Sequence, residues 1–409
     1  MSQNPQSGYR WYILGLGMIT HMFVAGLPWM CMPVLFKEIS QDLGLDLVQI
    51  GLVWGMAGLP YLVGSFGAGL VSDKFGSTRT LAVACLLQGI AGALRGTAGG
   101  MVSLSAYMFV FGLFSIPLGM ATHKAAGQWF SGHQLGMANG VLAAAMGLGN
   151  ALAAMVSATV LSPLFGGWRN LMLAYGVIAI VVGLLWLRAR REPDSGNTLQ
   201  AIQMVPFRRS LSHVVRVGPV WLLAVFLMFI CGYNSGLVGY IPLYLRSIGW
   251  SPVSADGALA AYTAASVVGA IPLSLMSDRL GSRKAILYPS IVAVILGIGL
   301  LCAFGSGGIL WFAVILAGFV QEGFFAITIT MTMEIEGIGA TYAGTALGLG
   351  TTFAGMGGFF SPPIGNRLAE INPRFAFIFW LALAIVALVT IRFVKDTGWK
   401  KKEFRTAST

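Results

Sequence analysis

Apolar runs of about 20 residues, long enough to cross ~30 Å of bilayer as helix, follow one another along nearly the whole chain. Of all residues, 56% are hydrophobic and only 10% are charged, whereas a soluble domain carries about 25% charged residues. The 55 glycines suit helices that pack against one another in lipid through small residues. The sequence therefore predicts an all-α membrane protein.

Twelve spans are predicted, in two sets of six separated by one long polar stretch. The first run is too long for the apolar core of a cleavable signal peptide, so we expect it to remain as a span. The predicted organisation is an N-terminal six-helix bundle at 1–187, a cytoplasmic linker at 188–217, a C-terminal six-helix bundle at 218–395 and a basic cytoplasmic tail at 396–409. Within the linker, the basic segment 207–216 predicts a short amphipathic helix on the membrane surface. The spans are predicted near 11–36, 47–71, 79–98, 103–128, 135–162, 168–187, 218–245, 255–276, 284–304, 308–331, 342–365 and 375–394.

The cationic residues are distributed unevenly between the two membrane faces. With a cytoplasmic N-terminus, 19 of the 25 Lys and Arg residues lie at or near the cytoplasmic side, as the positive-inside rule requires. We therefore expect a multi-pass protein of the cell inner membrane with both termini in the cytoplasm. The net charge of +11 is explained by this insertion signal and by contact with anionic membrane lipid, so nucleic acid is not implied. All four cysteines lie inside apolar runs, which favours buried thiols over a disulfide or a metal site.

A short charged phrase occurs twice, about 205 residues apart, at 69–79 and at 274–284. At that offset Lys74 is replaced by another cation, Arg279. The glycine pattern continues in the fifth and eleventh spans, where Gly149 matches Gly357. Repetition of this kind indicates a duplicated unit. The identical pairs are Val63/Val268, Gly64/Gly269, Leu70/Leu275, Ser72/Ser277, Asp73/Asp278, Gly76/Gly281 and Ser77/Ser282.

The repeated phrase resembles the loop motif of the major facilitator superfamily, Gly-x-Leu-x-Asp-Arg-x-Gly-x-Arg, in both places where that family carries it. The likeness extends over residues 10–395, and the segment 124–130 resembles the fourth-helix ending of the organic-anion porters, near the monocarboxylate type. The resemblance implies two pseudo-symmetric six-helix bundles that rock about one substrate site, which is alternating access. No nucleotide-binding loop of the Gly-x-x-x-x-Gly-Lys-Ser/Thr kind occurs, so ATP is not expected to drive transport.

Two departures from the family patterns leave the substrate class open. In the fifth span, Gly-Leu-Gly-Asn at 147–150 replaces the Gly-Pro pair of many drug/proton antiporters. The second and eighth spans hold no arginine. Nitrate porters would carry one arginine in each of these spans, and monocarboxylate porters would carry one in the eighth. We expect a secondary transporter, not an enzyme, that moves a small polar solute, an organic anion, together with protons, as a monomer without a cofactor. A drug/proton antiporter and a non-transporting polytopic sensor or scaffold are the alternatives.

The two loop motifs are predicted to act as gates. Asp73 ends the second span, where its carboxylate can pair with Arg79 and face the positive N-terminus of another helix. Asp278 would act in the same way in the second half, and a glycine in each motif permits a tight turn. The alternative is that these are loop charges that serve topology alone. The predicted gating residues are Asp73, Lys74, Gly76, Arg79, Asp278, Arg279, Gly281 and Lys284.

Glu322 is the most unusual residue of the predicted spans. It lies about 16 Å into the tenth span at 1.5 Å per residue, close to the midplane. There an ionised carboxylate costs about 2.5–3.5 kcal/mol on insertion scales, so it should face a cavity or a partner. Desolvation favours its protonated form, which suits proton coupling, and the alternative is a structural carboxyl bonded to a neighbouring helix. Gln321 beside it is a candidate for hydrogen bonding to substrate.

Polar side chains in the first and fourth spans are further candidates. His21 falls about 15 Å into the first span. The family resemblance places the first, fourth, seventh and tenth helices around the cavity, so His21 and Glu322 would approach from opposite halves. Lys124 is either a substrate-attracting cation or a topology anchor at the cytoplasmic surface. His123 is adjacent to Lys124 and is expected to point away from it.

The seventh span offers two more candidates. Tyr233 and Asn234 precede two glycines, a pattern that predicts a broken helix with polar groups for substrate. The remaining cations near the outer ends of spans are expected to be interfacial anchors. These are Arg95, Arg246, Arg367 and Arg374.

Overall fold

The computed structural model describes residues 5–64, 72, 75–130, 133–189, 207–304 and 307–397. Within this part of the chain every regular element is a helix, and the predicted all-α membrane fold is confirmed. The chain packs into two compact units. Unit 1 is drawn from Met1–Asp46 and Gly67–Thr198, and unit 2 from Leu47–Phe66 and Leu199–Thr409.

Unit 1 is built from long helices around an apolar core of small and large side chains that includes Cys85, Leu118 and Trp186. Its first span is one continuous helical stretch, Gly8–Leu43, in which a π-helical segment separates α1 from α2. A second π-helical segment follows α7. The elements are α1 (Pro5–Ile19), the π-helix Thr20–Gly26, α2 (Leu27–Leu43), α5 (Ser77–Leu94), the 3₁₀-helix Arg95–Thr97, α6 (Met101–Trp129), α7 (His133–Val156), the π-helix Ser157–Leu161, α8 (Ser162–Phe165) and α9 (Trp168–Arg188).

Unit 2 holds the remaining helices of the described chain. They are α3 (Leu47–Gly55), α4 (Tyr61–Gly64), α10 (Phe207–Val214), α11 (Gly218–Ser247), α12 (Pro252–Leu280), α13 (Lys284–Ala303), α14 (Ile309–Phe319), α15 (Gln321–Glu334), α16 (Gly339–Ile371) and α17 (Pro373–Phe393).

Helix ends in unit 2 follow from the local sequence. The Ser251 hydroxyl accepts a hydrogen bond from the Ser254 amide and caps α12. The helix starts with proline, whose missing N–H would have no partner in the first turn. The same helix ends at Gly281, whose φ of 63° is left-handed and therefore suits glycine. The Asn372 side chain caps α17 through the Arg374 amide in the same way.

Ten helical stretches in the described residues are long and apolar enough to cross a membrane. They correspond to the predicted spans except the second and the eleventh. The second falls partly on residues outside the described ranges. The eleventh is present as α16, a helix of 33 residues, but its many Gly and Thr residues make it less apolar than the ten.

Glycines allow close backbone contact at equivalent places in the two units. A Cβ on Gly149 in α7 would lie 2.6 Å from the Met22 carbonyl oxygen. A Cβ on Gly357 in α16 would likewise collide with the Met228 carbonyl oxygen of α11. Because only a hydrogen fits at these crossings, the helices pack through glycine as expected in lipid. The matched glycines of the sequence repeat therefore perform the same packing role.

Residues 47–64, which belong to the predicted N-terminal bundle, pack within unit 2. Gly51 lies against Asn366 and Pro363 of α16, and the Asn366 side chain donates to the Leu47 carbonyl over 2.8 Å. The Trp54 indole donates to the Ser235 carbonyl over 3.0 Å. The division into bundles at the linker stays a prediction.

The short helix predicted in the linker is present as α10, while residues 190–206 lie outside the described ranges. The Ser210 hydroxyl bonds to Thr345 over 2.7 Å, and the His213 imidazole donates to the Gly337 carbonyl over 2.7 Å. All four cysteines are free thiols; Cys31 and Cys85 are buried and the other two are half-buried.

Candidate functional site

The tenth span is interrupted at Val320, between α14 and α15. Two glycines allow close contact between α14 and α12 at this point. Gly318 of α14 lies against the Tyr262 backbone, and Gly269 of α12 lies against the Phe319 backbone. The interruption makes Gln321 and Glu322 the first residues of α15, where backbone N–H groups have no partner inside the helix. The predicted break in the seventh span is wrong, because α11 runs unbroken from Gly218 to Ser247.

The Glu322 amide is satisfied by a side chain of the eighth span. It donates to the Ser266 hydroxyl over 3.1 Å. The Glu322 side chain lies near the Tyr262 hydroxyl and the Cys231 thiol. The start of α15 is thus held against α12 and lies close to α11.

Four residues predicted separately from sequence lie in one polar cluster of unit 2. The Tyr233 hydroxyl donates to Oε1 of Gln321 over 3.0 Å, and Glu322 follows directly. The Tyr262 hydroxyl donates to Oδ1 of Asn234 over 2.6 Å. Sequence reasoning missed Tyr262 and Ser266, although polar side chains four residues apart inside an apolar span share one helix face.

Two groups of the cluster are left open. Nε2 of Gln321 is buried without a hydrogen-bond partner. The Glu322 carboxylate makes no hydrogen bond or ion pair with any described residue, and its side chain is exposed. The carboxylate is therefore accessible to a ligand. The cluster therefore offers an amide donor and a carboxylate to a ligand.

In unit 1, His21 lies in the π-helix of the first span. π-Helical turns are frequent at functional sites, and this one precedes Pro28, whose missing N–H leaves the Val24 carbonyl without its helical donor. Gln88 supplies the replacement, since Nε2 donates to that carbonyl over 3.2 Å. The Thr20 hydroxyl accepts a 2.8 Å bond from the Trp186 indole. These contacts fix the backbone that carries His21.

The His21 ring is nearly buried, at 6% exposure, and lies edge-on to His123 of α6 with 5.3 Å between ring centroids. Neither nitrogen of His21 makes a close hydrogen bond, although the Leu142 backbone lies near enough to interact weakly with one of them. His123 is exposed, and its Nδ1 lies 2.9 Å from Oδ1 of Asn139. Lys124 points elsewhere, as predicted from its adjacency. Its Nζ donates to the Ser72 carbonyl over 2.9 Å.

The first loop motif is only partly described. Asp73 and Lys74 lie outside the described residues. Gly76 has a φ of 81°, a left-handed value that favours glycine, and Arg79 is exposed in the first turn of α5. The Ser77 hydroxyl donates to Gln128 over 2.6 Å, which connects the motif to the end of the fourth span.

The second motif is organised around Arg283, which sequence reasoning did not select. Arg283 forms an ion pair with Asp278 and a second one with Glu334, at 2.7 Å. Bonding to Glu334 and Asp278 raises the pKa of Arg283 above its ordinary value. Of the two cations predicted beside Asp278, Lys284 donates to the Arg392 carbonyl over 3.0 Å and Arg279 is exposed.

The segment after the last span joins this network. The Asp396 carboxylate accepts from the Ser282 hydroxyl at 2.5 Å and from the Arg283 amide at 3.0 Å, so it caps the start of α13. The Thr397 hydroxyl donates to Glu334 over 2.8 Å. The second motif, the end of α15 and the start of the tail form one polar network.

Two cations predicted as interfacial anchors have side chains inside the protein instead. Arg95 is 0% exposed; it donates to the Pro28 carbonyl over 2.9 Å and stacks on Phe111 at 4.1 Å. Nη2 of Arg246, whose side chain is 8% exposed, donates to both carboxylate oxygens of buried Asp256 at 2.5 and 2.6 Å. Each arginine is therefore retained by partners inside the protein.

Comparison with known proteins agrees with this architecture. A model of the Major Facilitator Superfamily matches residues 18–334 and 246–407. The probable sulfoacetate transporter SauU of Cupriavidus necator is 25% identical over 403 residues, which cover 93% of this chain and 92% of SauU. The probable nitrate/nitrite antiporter NarK1 of Thermus thermophilus is 27% identical, with 84% of this chain and 82% of NarK1 covered. A solved bacterial homologue of the human lysosomal transporter Spinster has the same fold, with a TM-score of 0.73, 15% identity, and 96% and 97% of the two chains covered.

Proposed function

The chain belongs to the major facilitator superfamily, and we propose that it carries small organic anions across the membrane with protons, by alternating access. The observation that carries this proposal is the open Glu322 carboxylate at the interruption of the tenth span. An ionisable side chain within the membrane that has no protein partner is a functional group by default.

Proton coupling is proposed for Glu322 because no described cation pairs with its carboxylate. The charged form would therefore be stabilised only by solvent or a ligand at its exposed side. A conformational change that removes this solvent would favour the protonated form, and the reverse change would release the proton. The hydroxyls and amides nearby would bind polar groups of the cargo.

An anionic cargo is proposed from the charges of unit 1. Its described acidic residues, Glu38, Asp42 and Asp46, lie at and beyond the end of α2, and Glu38 is engaged with Ser162 and the Trp168 amide. The interior instead carries His21 and His123. An anion there meets imidazole nitrogens and no carboxylate of the described residues. The names of SauU and NarK1 indicate anionic substrates for those relatives, one organic and one inorganic.

An organic anion is preferred to nitrate for two reasons. The arginines expected of nitrate porters are absent from the second and eighth spans of this sequence. The Tyr233, Asn234, Gln321 and Tyr262 cluster offers hydrogen bonds to the hydroxyl or carbonyl groups of an organic molecule, which nitrate does not have.

The loop motifs are proposed as cytoplasmic gates. In unit 2 the network of Asp278, Arg283 and Glu334 would hold the cytoplasmic end closed, and Asp73 with Arg79 would act in unit 1. Both termini are proposed to be cytoplasmic, in the cell inner membrane, and the protein is proposed to act as a monomer in contact with anionic lipid.

The test is uptake into proteoliposomes containing the purified protein. Sulfoacetate, an aromatic carboxylate, nitrate and a lipophilic cation are offered with and without an inward proton gradient. We expect uptake of an organic anion that the gradient stimulates, with protein-free liposomes as the control. Preference for nitrate contradicts the organic substrate, transport of the cation alone supports a drug/proton antiporter, and no transport of any solute supports a sensor or scaffold.

A further inference from the structure

The two histidines of unit 1 are a pair, not isolated side chains. His21 is 6% exposed, and its ring has no close hydrogen bond, only a weak interaction with the Leu142 backbone. His123 lies edge-on at 5.3 Å, and its exposed ring covers the buried one. A buried polar group without a full hydrogen bond is unfavourable. This arrangement indicates that a ligand completes the hydrogen bonding of the pair.

The hydrogen-bond pattern defines which atoms are available. Oδ1 of Asn139 is only an acceptor, so Nδ1 of His123 carries a proton and donates to it. This leaves Nε2 of His123 and the His21 nitrogen that does not face the Leu142 backbone. When the pair holds one further proton, these atoms offer N–H donors from two rings. The acceptor that fits is an oxyanion with more than one oxygen.

We propose that His21 and His123 form a subsite for the carboxylate or sulfonate group of the transported solute, an inference that rests on the proposed anion transport. His123 is the accessible contact and His21 is the buried second contact. Lys124 is not part of this pair, and its ammonium donates to the Ser72 carbonyl. The polar cluster around Glu322 provides no cation for the same group among the described residues.

Chemical footprinting tests the subsite directly. Diethyl pyrocarbonate acylates accessible imidazoles, and mass spectrometry reports each modified peptide. We expect modification of His123, and of His213 on α10, in the protein without solute. Sulfoacetate or benzoate at saturating concentration should lower the rate of His123 modification about tenfold or more, which corresponds to about 1.4 kcal/mol. The rate of His213 modification should not change. Equal modification of His123 with and without a transported anion overturns the proposal.

Substitutions provide an independent measurement. His123→Gln and His21→Gln should each weaken anion binding about tenfold, the loss of one charge-assisted hydrogen bond. The double variant should lose less than the product of the two, because both rings hold one group. His213→Gln is the matched control and should bind normally.

The outcomes separate this inference from the proposed function. If organic anions are transported but both histidine variants bind them as the unsubstituted protein does, only the subsite is wrong. If no anion is bound or transported, the proposed function fails, and the subsite fails with it. If either variant does not fold, footprinting of the unsubstituted protein still decides.

Discussion

The hydroxyl of Tyr262 donates a 2.6 Å hydrogen bond to Oδ1 of Asn234, which connects the eighth span to the seventh beside Glu322. Because Oδ1 is occupied, the Asn234 amide group is oriented with its nitrogen away from Tyr262. The tyrosine therefore contributes to the polar cluster by orienting a neighbouring side chain.

Tyr262→Phe is expected to weaken substrate binding about three- to tenfold, since one neutral hydrogen bond contributes about 0.5–1.5 kcal/mol. The measurement is the equilibrium dissociation constant of the transported anion. Tyr288→Phe is the control, because that ring lies beside Lys284 at the start of α13. Normal affinity in Tyr262→Phe would show that the hydroxyl orients nothing the substrate uses.

Much of this arrangement could be predicted from sequence, because it depends on local rules. Apolar runs predicted most of the long helices to within a few residues, although the second span is broken after Gly55. The motif glycines predicted tight turns, and Gly76 and Gly281 have positive φ there. The polar candidates Tyr233, Asn234, Gln321 and Glu322 were identified because such residues are rare in apolar spans.

What could not be predicted depends on tertiary contacts. The helix interruption lies at Val320 and not after Asn234, because Gly318 and Gly269 bring two backbones together there, and glycine content alone does not show which helices meet. Arg279 and Arg283 both lie within five residues of Asp278 in the sequence, so neither is favoured as its partner. Only Arg283, which follows the turn at Gly281, pairs with Glu334. The burial of Arg95 depends on a carbonyl, Pro28, that is 67 residues away in sequence.

Gly149→Ala is expected to lower stability by about 1–3 kcal/mol, as overpacking does. The added Cβ would lie 2.6 Å from the Met22 carbonyl oxygen, and the neighbour is backbone, which cannot move aside. Thermal unfolding in detergent measures the loss. Gly140→Ala in the same helix has nothing within 4 Å of the new Cβ and should unfold at the original temperature or above it. Equal unfolding temperatures for the two variants would contradict the close crossing.

Arg283→Gln is expected to slow transport about tenfold, equivalent to ~1.4 kcal/mol on the barrier, with substrate affinity within about threefold. The Asp278 side chain is 63% exposed, so its ion pair contributes little to folding stability and the effect should be on rate. Initial rates and dissociation constants are measured on the same preparation. Arg279→Gln is the control and should transport normally. If Arg279→Gln is the slower of the two, the gate is organised around the residue predicted from sequence.

Glu322→Gln is expected to abolish uptake driven by a proton gradient and to preserve exchange of labelled for unlabelled substrate. The amide resembles the protonated carboxyl in size and cannot release a proton, while exchange requires no proton release. Both assays are run on the same proteoliposomes, so that a misfolded variant, which fails in both, is distinguished from an uncoupled one. Glu336→Gln, an exposed residue after α15, is the matched control and should retain both activities. Gradient-driven uptake at the original rate in Glu322→Gln would make Glu322 structural and would move the proton to another group, of which His21 is the next candidate.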